Sequence, residues 1–436
     1  MRATVLVLDL IIYGYALWIS LDRHRHGYRG EYGEQQHQKH HPRHHAQQQQ
    51  KENQERWQTR LTSTSMWLLL LALVQPAIVL IDHGHFQYNT VALGWSLMAF
   101  HFMTKGNFRQ CVVGAFFFCL ALNFKQMTLY YAPVVFAYLL GRCFADTTRF
   151  TVRFASLGIT VITTFLVMWL PFLINGPSHV QTSVPERAVQ ILTRIFPFQR
   201  GLFESKVANL WCALSTKPFS IRERIAAEMQ PLLALGLTTV LMLPSCVALF
   251  RMGAAKTTSD LQRQRKDATS LLWGATSCSL AFFLASFQVH EKSILMALAP
   301  ASLLMDLDAS FVQFLSVACA WSLWPLLQVD RLEVAYVCTV LIYICVVWMY
   351  HQQQDGAASE MQRSFFSSFF RSIPILAYIG MLGLHAMQLC VEAPQGLPDL
   401  YPVLWSIAGC GLFLVAWLCT LWHLFTKQAA AKQKVS

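Results

Sequence analysis

The sequence predicts an all-α, polytopic membrane protein, and three observations carry that expectation. Hydrophobic residues make up 55% of the chain and charged residues 13%, against about 25% charged in soluble domains. Apolar stretches near ~20 residues, the length that crosses a bilayer as a helix, recur from end to end. The loops between them fall into two kinds, one basic and one not, as cytoplasmic and non-cytoplasmic loops do. The net charge of +11 reports those loops and the orientation they set, and nucleic-acid binding is not expected from it.

Spans are predicted near 4–20, 66–82, 88–103, 111–123, 128–141, 154–173, 231–250, 269–287, 293–306, 310–328, 333–349, 372–390 and 402–425, about thirteen in all. The first could pass for a signal peptide. Asp9 interrupts its apolar run, however, and no small-residue cleavage site follows, so it is read as a retained helix. Residues 21–63 form a low-complexity insert carrying His24, His26, His37, His40, His41, His44, His45 and the run Gln47–Gln50. Without fixed spacing or a thiol or carboxylate framework, these histidines read as a solvated cytoplasmic loop rather than a metal site.

The remaining basic loops are Lys105–Arg109, Arg142–Arg153, Arg251–Lys266 and the tail Lys427–Lys434. Placing them with the insert in the cytoplasm makes strict alternation self-consistent. It also collects Asp82–Asn89, Phe124–Gln126, Asn175–Gln230 and Gln288–Lys292 on the opposite face. Of these, 175–230 is a long amphipathic loop whose basic residues depart from the rule, as long loops can. The whole chain, 1–436, is read as one polytopic domain. The 12 cysteines show no CxxC pair and no zinc-like spacing, and are expected to be buried free thiols.

Two polar clusters stand out because charge at membrane depth is costly and is kept where it faces a cavity, a partner or a substrate. One is Phe287-Gln288-Val289-His290-Glu291-Lys292. Lys292 and His290 suit a phosphate, and Glu291 suits orienting His290 or accepting a sugar hydroxyl. A helix-end trio snorkelling to the interface is the plainer alternative. The other is Asp82-His83-Gly84-His85-Phe86-Gln87-Tyr88-Asn89. Its hydrogen-bonding side chains, beside the aromatics Phe86, Tyr88, Tyr130 and Tyr131, suit a sugar. The segment Arg194–Glu204 sets cations among phenylalanines, which fits an interfacial segment or a grip on a lipid-carrier phosphate. No GxGxxG, P-loop or non-cytoplasmic DxD pair occurs; Asp306-Leu307-Asp308 falls on the cytoplasmic side. A metal-dependent nucleotide-sugar reaction is therefore disfavoured.

These residues resemble the dolichyl-phosphate-glucose-dependent α-1,3-glucosyltransferases of the endoplasmic reticulum. The resemblance rests on Ile81–Asn89, on Phe124-Lys125-Gln126-Met127 with Tyr130-Tyr131-Ala132-Pro133, on Arg194–Trp211 with Lys206-Val207-Ala208-Asn209, and on Ser286–Lys292. The motifs stand in the family's order through nearly the whole chain. Gly84, Gln126 and Gly201–Asn209 fit the member adding the first glucose better than its sister adding the second. Ser205 departs, standing where an acidic residue is usual.

The resemblance implies a GT-C type membrane glycosyltransferase that moves glucose, with inversion, from dolichyl-phosphate-glucose to a dolichyl-diphosphate-linked high-mannose oligosaccharide. It implies active-site loops in the lumen and no metal or other cofactor. Candidate substrate-binding residues are Asp82, His83, His85, Gln87, Asn89, Lys125, Gln126, Arg194, Arg200, Lys206, His290, Glu291 and Lys292. The family's acidic base motif, in an early luminal loop, has no counterpart here. The chain is therefore expected to be N-terminally truncated and weak or inactive in transfer, with a regulatory isoform as the alternative. A transporter would more often show mid-span polar residues and an internal repeat, and neither is seen.

Overall fold

A computed structural model describes residues 2–21, 64–174, 183–195, 207–217, 219–255, 260–354 and 368–433. Among these, every regular element is a helix. Leaving aside single turns such as Ile221–Arg224 and Glu291–Ile294, in chain order they are α1 (Ala3–Leu21), α2 (Thr64–Leu73), α3 (Pro76–Gly84), α4 (Asn89–Met103), α5 (Phe108–Phe124), α6 (Gln126–Phe144), α7 (Phe150–Ile174) and α8 (Val184–Ile195). There follow α9 (Leu210–Leu214), α10 (Gln230–Ala254), α11 (Asp260–Ala285), α12 (Leu295–Ser302), α13 (Ala309–Ser322), α14 (Trp324–Val329), α15 (Glu333–Gln354), α16 (Ser368–Cys390) and α17 (Leu400–Gln433). The chain is a multi-pass membrane protein. The low-complexity residues 22–63 lie outside the described residues.

Each predicted span is helical, but not each is long enough to cross. Among the described residues, seven helices reach the length and apolarity a crossing needs, or eight if α2 and α3, bent by 44°, form one span. The bend follows from Pro76, which forces the preceding Gln75 out of helical conformation (ψ 116). The expected thirteen is not confirmed, and two elements show a physical reason. Helix α4 has 15 residues, about 22 Å at ~1.5 Å per residue, short of the ~30 Å hydrocarbon core. Helix α12 has 8 residues, all buried, so the apolar run at 293–306 fills the protein interior rather than meeting lipid.

The reverse holds at the periphery. Of the 25 residues of α7, only Leu157 and Thr164 are buried, so this helix lies at the periphery with most of its surface turned away from protein. Cys338 and Cys345 on α15, and Cys390 on α16, are likewise exposed, against the expectation of buried thiols. A helix apolar on all sides is buried in lipid as readily as in protein. Inside the bundle, α6 and α10 cross backbone to backbone: a Cβ on Gly141 would collide with the Phe250 carbonyl, and one on Gly253 with that of Tyr138.

The two ends of the bundle differ. At one end Arg142 donates to the Gly106 carbonyl, Tyr138 donates to Asp267 at 2.8 Å, and Arg153 pairs with Asp146 at 3.1 Å. There also Asp308 caps α13 and meets His423 at 3.1 Å, while His423 stacks on Trp273 with ring centroids 3.9 Å apart. Of the basic loops predicted to share one face, Lys105–Arg109, Arg142–Arg153 and the start of Arg251–Lys266 meet at this end; the 21–63 insert lies outside the described residues, as do the side chains of the tail. The loops around residues 82–89, 125, 290–292 and 330 meet at the other.

Candidate active site

Two π-turns shape the polar end. Helix α3 closes in one at Leu80–Gly84, and α1 is widened by another at Asp9–Gly14; such turns are frequent at functional sites. The first turns Asp82 inward beneath the start of α4. There its carboxylate accepts from the Asn89 side chain at 2.6 Å and from the Thr90 backbone N–H at 2.7 Å. Asp82 is fully buried, so it acts as an anionic cap on the α4 N-terminus, where N–H groups lack helical partners. A Cβ on Gly84 would stand 2.9 Å from the end of the Leu332 side chain, so any larger residue there would have to move that leucine.

The second π-turn delivers Asp9. Thr90 donates its hydroxyl hydrogen bond to one Asp9 oxygen, and Nε2 of His83 lies 2.8 Å from the other. The Asp9 side chain is 9% exposed and that of His83 is 32%. A buried carboxylate thus orients an accessible imidazole, fixing which nitrogen faces outward.

Lys125 ends α5 in an extended conformation (φ −149, ψ 117) and points back to the same loop. Its Nζ donates to Gln87 Oε1 at 3.0 Å and to Asn89 Oδ1. Burial lowers its pKa, Asp82 raises it and Lys292 lowers it, leaving it at about 8. Lys292 is therefore close enough to repel Lys125. Next to it, Nδ1 of the exposed His290 lies 2.8 Å from Glu291 Oε2. Burial pushes the Glu291 carboxyl up, but the His290 contact, a backbone hydrogen bond and Lys292 outweigh it and hold the group below its ordinary value. Gln126 is exposed beside Lys125.

A further partner joins from the other half of the chain. His85 Nδ1 and Asp330 Oδ2 are 2.5 Å apart, and Thr4 and Tyr88 share a hydrogen bond at 3.0 Å. Phe86, Gln288 and Arg331, one in each of three converging loops, have positive φ of 68, 61 and 57. Residues held in that region cost free energy and cluster at functional sites. The described part of the 175–230 loop packs alongside. Asn209 caps α9 at 2.9 Å, and Trp211 donates to the Ala285 carbonyl at 2.8 Å and packs near Phe287.

The structure thus brings Asp82, His83, His85, Gln87, Asn89, Lys125, Gln126, His290, Glu291 and Lys292 to one end. Arg200 and Lys206 lie outside the described residues, as does the side chain of Arg194 near the end of α8. Asp9, Thr90 and Asp330 were not singled out from sequence as site residues. An acid inside an apolar span is itself a signal, and Asp9 carries it. Asp330 has only its place between two apolar runs.

Residues 1–419 match the model of the ALG6, ALG8 glycosyltransferase family. A probable dolichyl pyrophosphate Man9GlcNAc2 alpha-1,3-glucosyltransferase of Schizosaccharomyces pombe is 39% identical over 82% of this chain and 64% of its own length. The Mus musculus dolichyl pyrophosphate Man9GlcNAc2 alpha-1,3-glucosyltransferase is 32% identical over 79% and 66%. The Saccharomyces cerevisiae protein of that name is 32% identical over 81% and 65%. The chain spans about two thirds of the length of these curated relatives.

Proposed function

This chain belongs to the ALG6, ALG8 glycosyltransferase family, and from that premise we propose that it transfers the first glucose onto the lipid-linked N-glycan precursor. The donor is dolichyl-phosphate-glucose, the acceptor is dolichyl-diphosphate-linked Man9GlcNAc2, and the new bond is α-1,3. The polar end faces the lumen of the endoplasmic reticulum, and the basic end faces the cytoplasm, in accord with the positive-inside rule.

One observation supports this most: the half-buried Lys125 ammonium is held by Gln87 and Asn89 of the 82–89 loop, at the end of the bundle where His85, His290 and Lys292 also lie. A cation held in place among hydrogen-bonding side chains attracts an anion. A donor phosphodiester fits that place, with its glucose towards Gln87, His85 and the His83–Asp9 pair. In a direct displacement the mannose hydroxyl oxygen bonds to glucose C1 as the C1–O bond to phosphate breaks. The hydroxyl proton passes to a base, and dolichyl phosphate leaves with both bond electrons. Lys125, Lys292 and His290 stabilise the charge that builds on the leaving phosphate, so the cationic work falls to side chains and no metal is called for.

The test is expression of this chain in microsomes from cells lacking the endogenous activity. Appearance of monoglucosylated lipid-linked oligosaccharide is expected, in place of the weak or absent transfer read from the sequence, because the described substrate-binding candidates stand together at one end of the bundle. Unchanged Man9GlcNAc2 with the chain present at normal levels would refute the proposal. Glucose added only to an already monoglucosylated acceptor would assign the second transfer instead.

A further inference from the structure

Helix α8 follows the lipid-facing α7 and has two unlike sides. At ~100° per residue, Val184, Ala188, Ile191 and Leu192 fall on one stripe, while Glu186, Gln190 and Thr193 fall on the other side. Its first turn is tied by Glu186, whose carboxylate accepts from the Ser183 N–H at 2.9 Å, half of a capping box. Among the described residues protein covers the stripe only in part: Val184 is 58% exposed and Leu192 44%, while Ala188 and Ile191 are half-buried.

The position of α8 is fixed by Arg187. Its Nη1 donates to the carbonyls of Leu173 and Ile174 at 2.9 and 3.0 Å. These are terminal carbonyls of α7, which lack helical partners and attract a cation. Helix α8 is therefore held at the very end of a membrane span. That span is only 11% buried in its most apolar window, and its last turns expose Leu170, Phe172 and Ile174. The lipid sheath of α7 must end where α8 is pinned, at the boundary between hydrocarbon and water.

We propose that α8 is an interfacial anchor: its Val184–Ala188–Ile191–Leu192 stripe lies in the phospholipid monolayer on the polar side of the bundle, with Glu186 and Gln190 in water. The occupant of the stripe is lipid, because its apolar surface continues that of α7 and because amphipathic helices at this depth bury such a face among headgroups and acyl chains. The segment 207–217, packed by Trp211 against Phe287, lies further along the same loop. The anchor thus sets the start of that loop at the lipid surface, where the headgroup of a lipid-linked substrate emerges.

The test places the photoreactive residue p-benzoylphenylalanine singly at Val184, Ile191, Leu192, Glu186 or Gln190 in the full chain. Each variant is reconstituted in phosphatidylcholine vesicles with alkyne-tagged acyl chains and irradiated, and lipid adducts are counted by mass spectrometry. The stripe positions are expected to take several-fold more lipid than Glu186 and Gln190. Equal labelling of both sides, or adducts from the stripe to protein in place of lipid, would overturn the proposal; the latter would mean that a protein surface covers this face. The readout does not depend on glucose transfer, so a failure of the proposed activity leaves this result interpretable.

Discussion

His85 and Asp330 meet at 2.5 Å although 245 positions separate them in the chain. The contact fastens the loop between α14 and α15 onto the loop that carries Asp82, Gln87 and Asn89. Asp330→Ala is expected to lower stability by about 1 kcal/mol. The figure is modest because both side chains keep roughly a quarter of their surface in solvent (22% and 25%). Asp330→Asn, which retains an acceptor oxygen, should lose less. Thermal unfolding of the purified chain in detergent measures both.

Asp82 predicts a larger loss. Asp82→Ala leaves the Asn89 amide and the Thr90 N–H buried without their acceptor, at a cost of about 2–4 kcal/mol. Asp82→Asn keeps one acceptor and should fall between the two. Thermal denaturation ranks the three proteins, and wild-type stability in Asp82→Ala would contradict the capping role.

Lys125 predicts opposite pH trends for stability and for donor binding. In the unfolded chain it stays charged up to about 10.5, in the folded chain only up to about 8. Folding therefore releases a proton between those values, and this group's contribution makes stability rise with pH across that window. Binding of a phosphodiester needs the ammonium, so affinity should fall as pH rises through about 8. Lys125→Arg, which stays charged, should flatten the binding profile. Titration with labelled donor at several pH values checks this.

The left-handed residues predict a side-chain preference. At Gln288 (φ 61) and Arg331 (φ 57), glycine should be tolerated, whereas valine should cost roughly 1–2 kcal/mol because a β-branched side chain crowds the backbone there. Melting temperatures of the four variants decide it.

Much of this was legible in the sequence, for identifiable reasons. Alternating loop charge placed 82–89, 124–126 and 288–292 on one face, and the structure joins those loops through Lys125. The length of a crossing was not legible. Hydropathy reports that the run at 293–306 and the run at 333–349 are both apolar, but not that α12 is wholly buried in protein while α15 faces lipid. Nor were long-range partners. Asp9 stood out only as a break in an apolar helix, and a π-turn, which sequence patterning does not reveal, aims it at His83. Asp330 needed the folded chain to meet His85.

The central claim is tested most directly by the purified chain in vesicles, given dolichyl-phosphate-glucose with labelled glucose and dolichyl-diphosphate-linked Man9GlcNAc2. The account predicts one α-1,3-linked glucose per acceptor, with transfer sharply reduced by Lys125→Ala and by Lys292→Ala. No incorporation by the wild-type chain, or incorporation indifferent to both lysines, would contradict it.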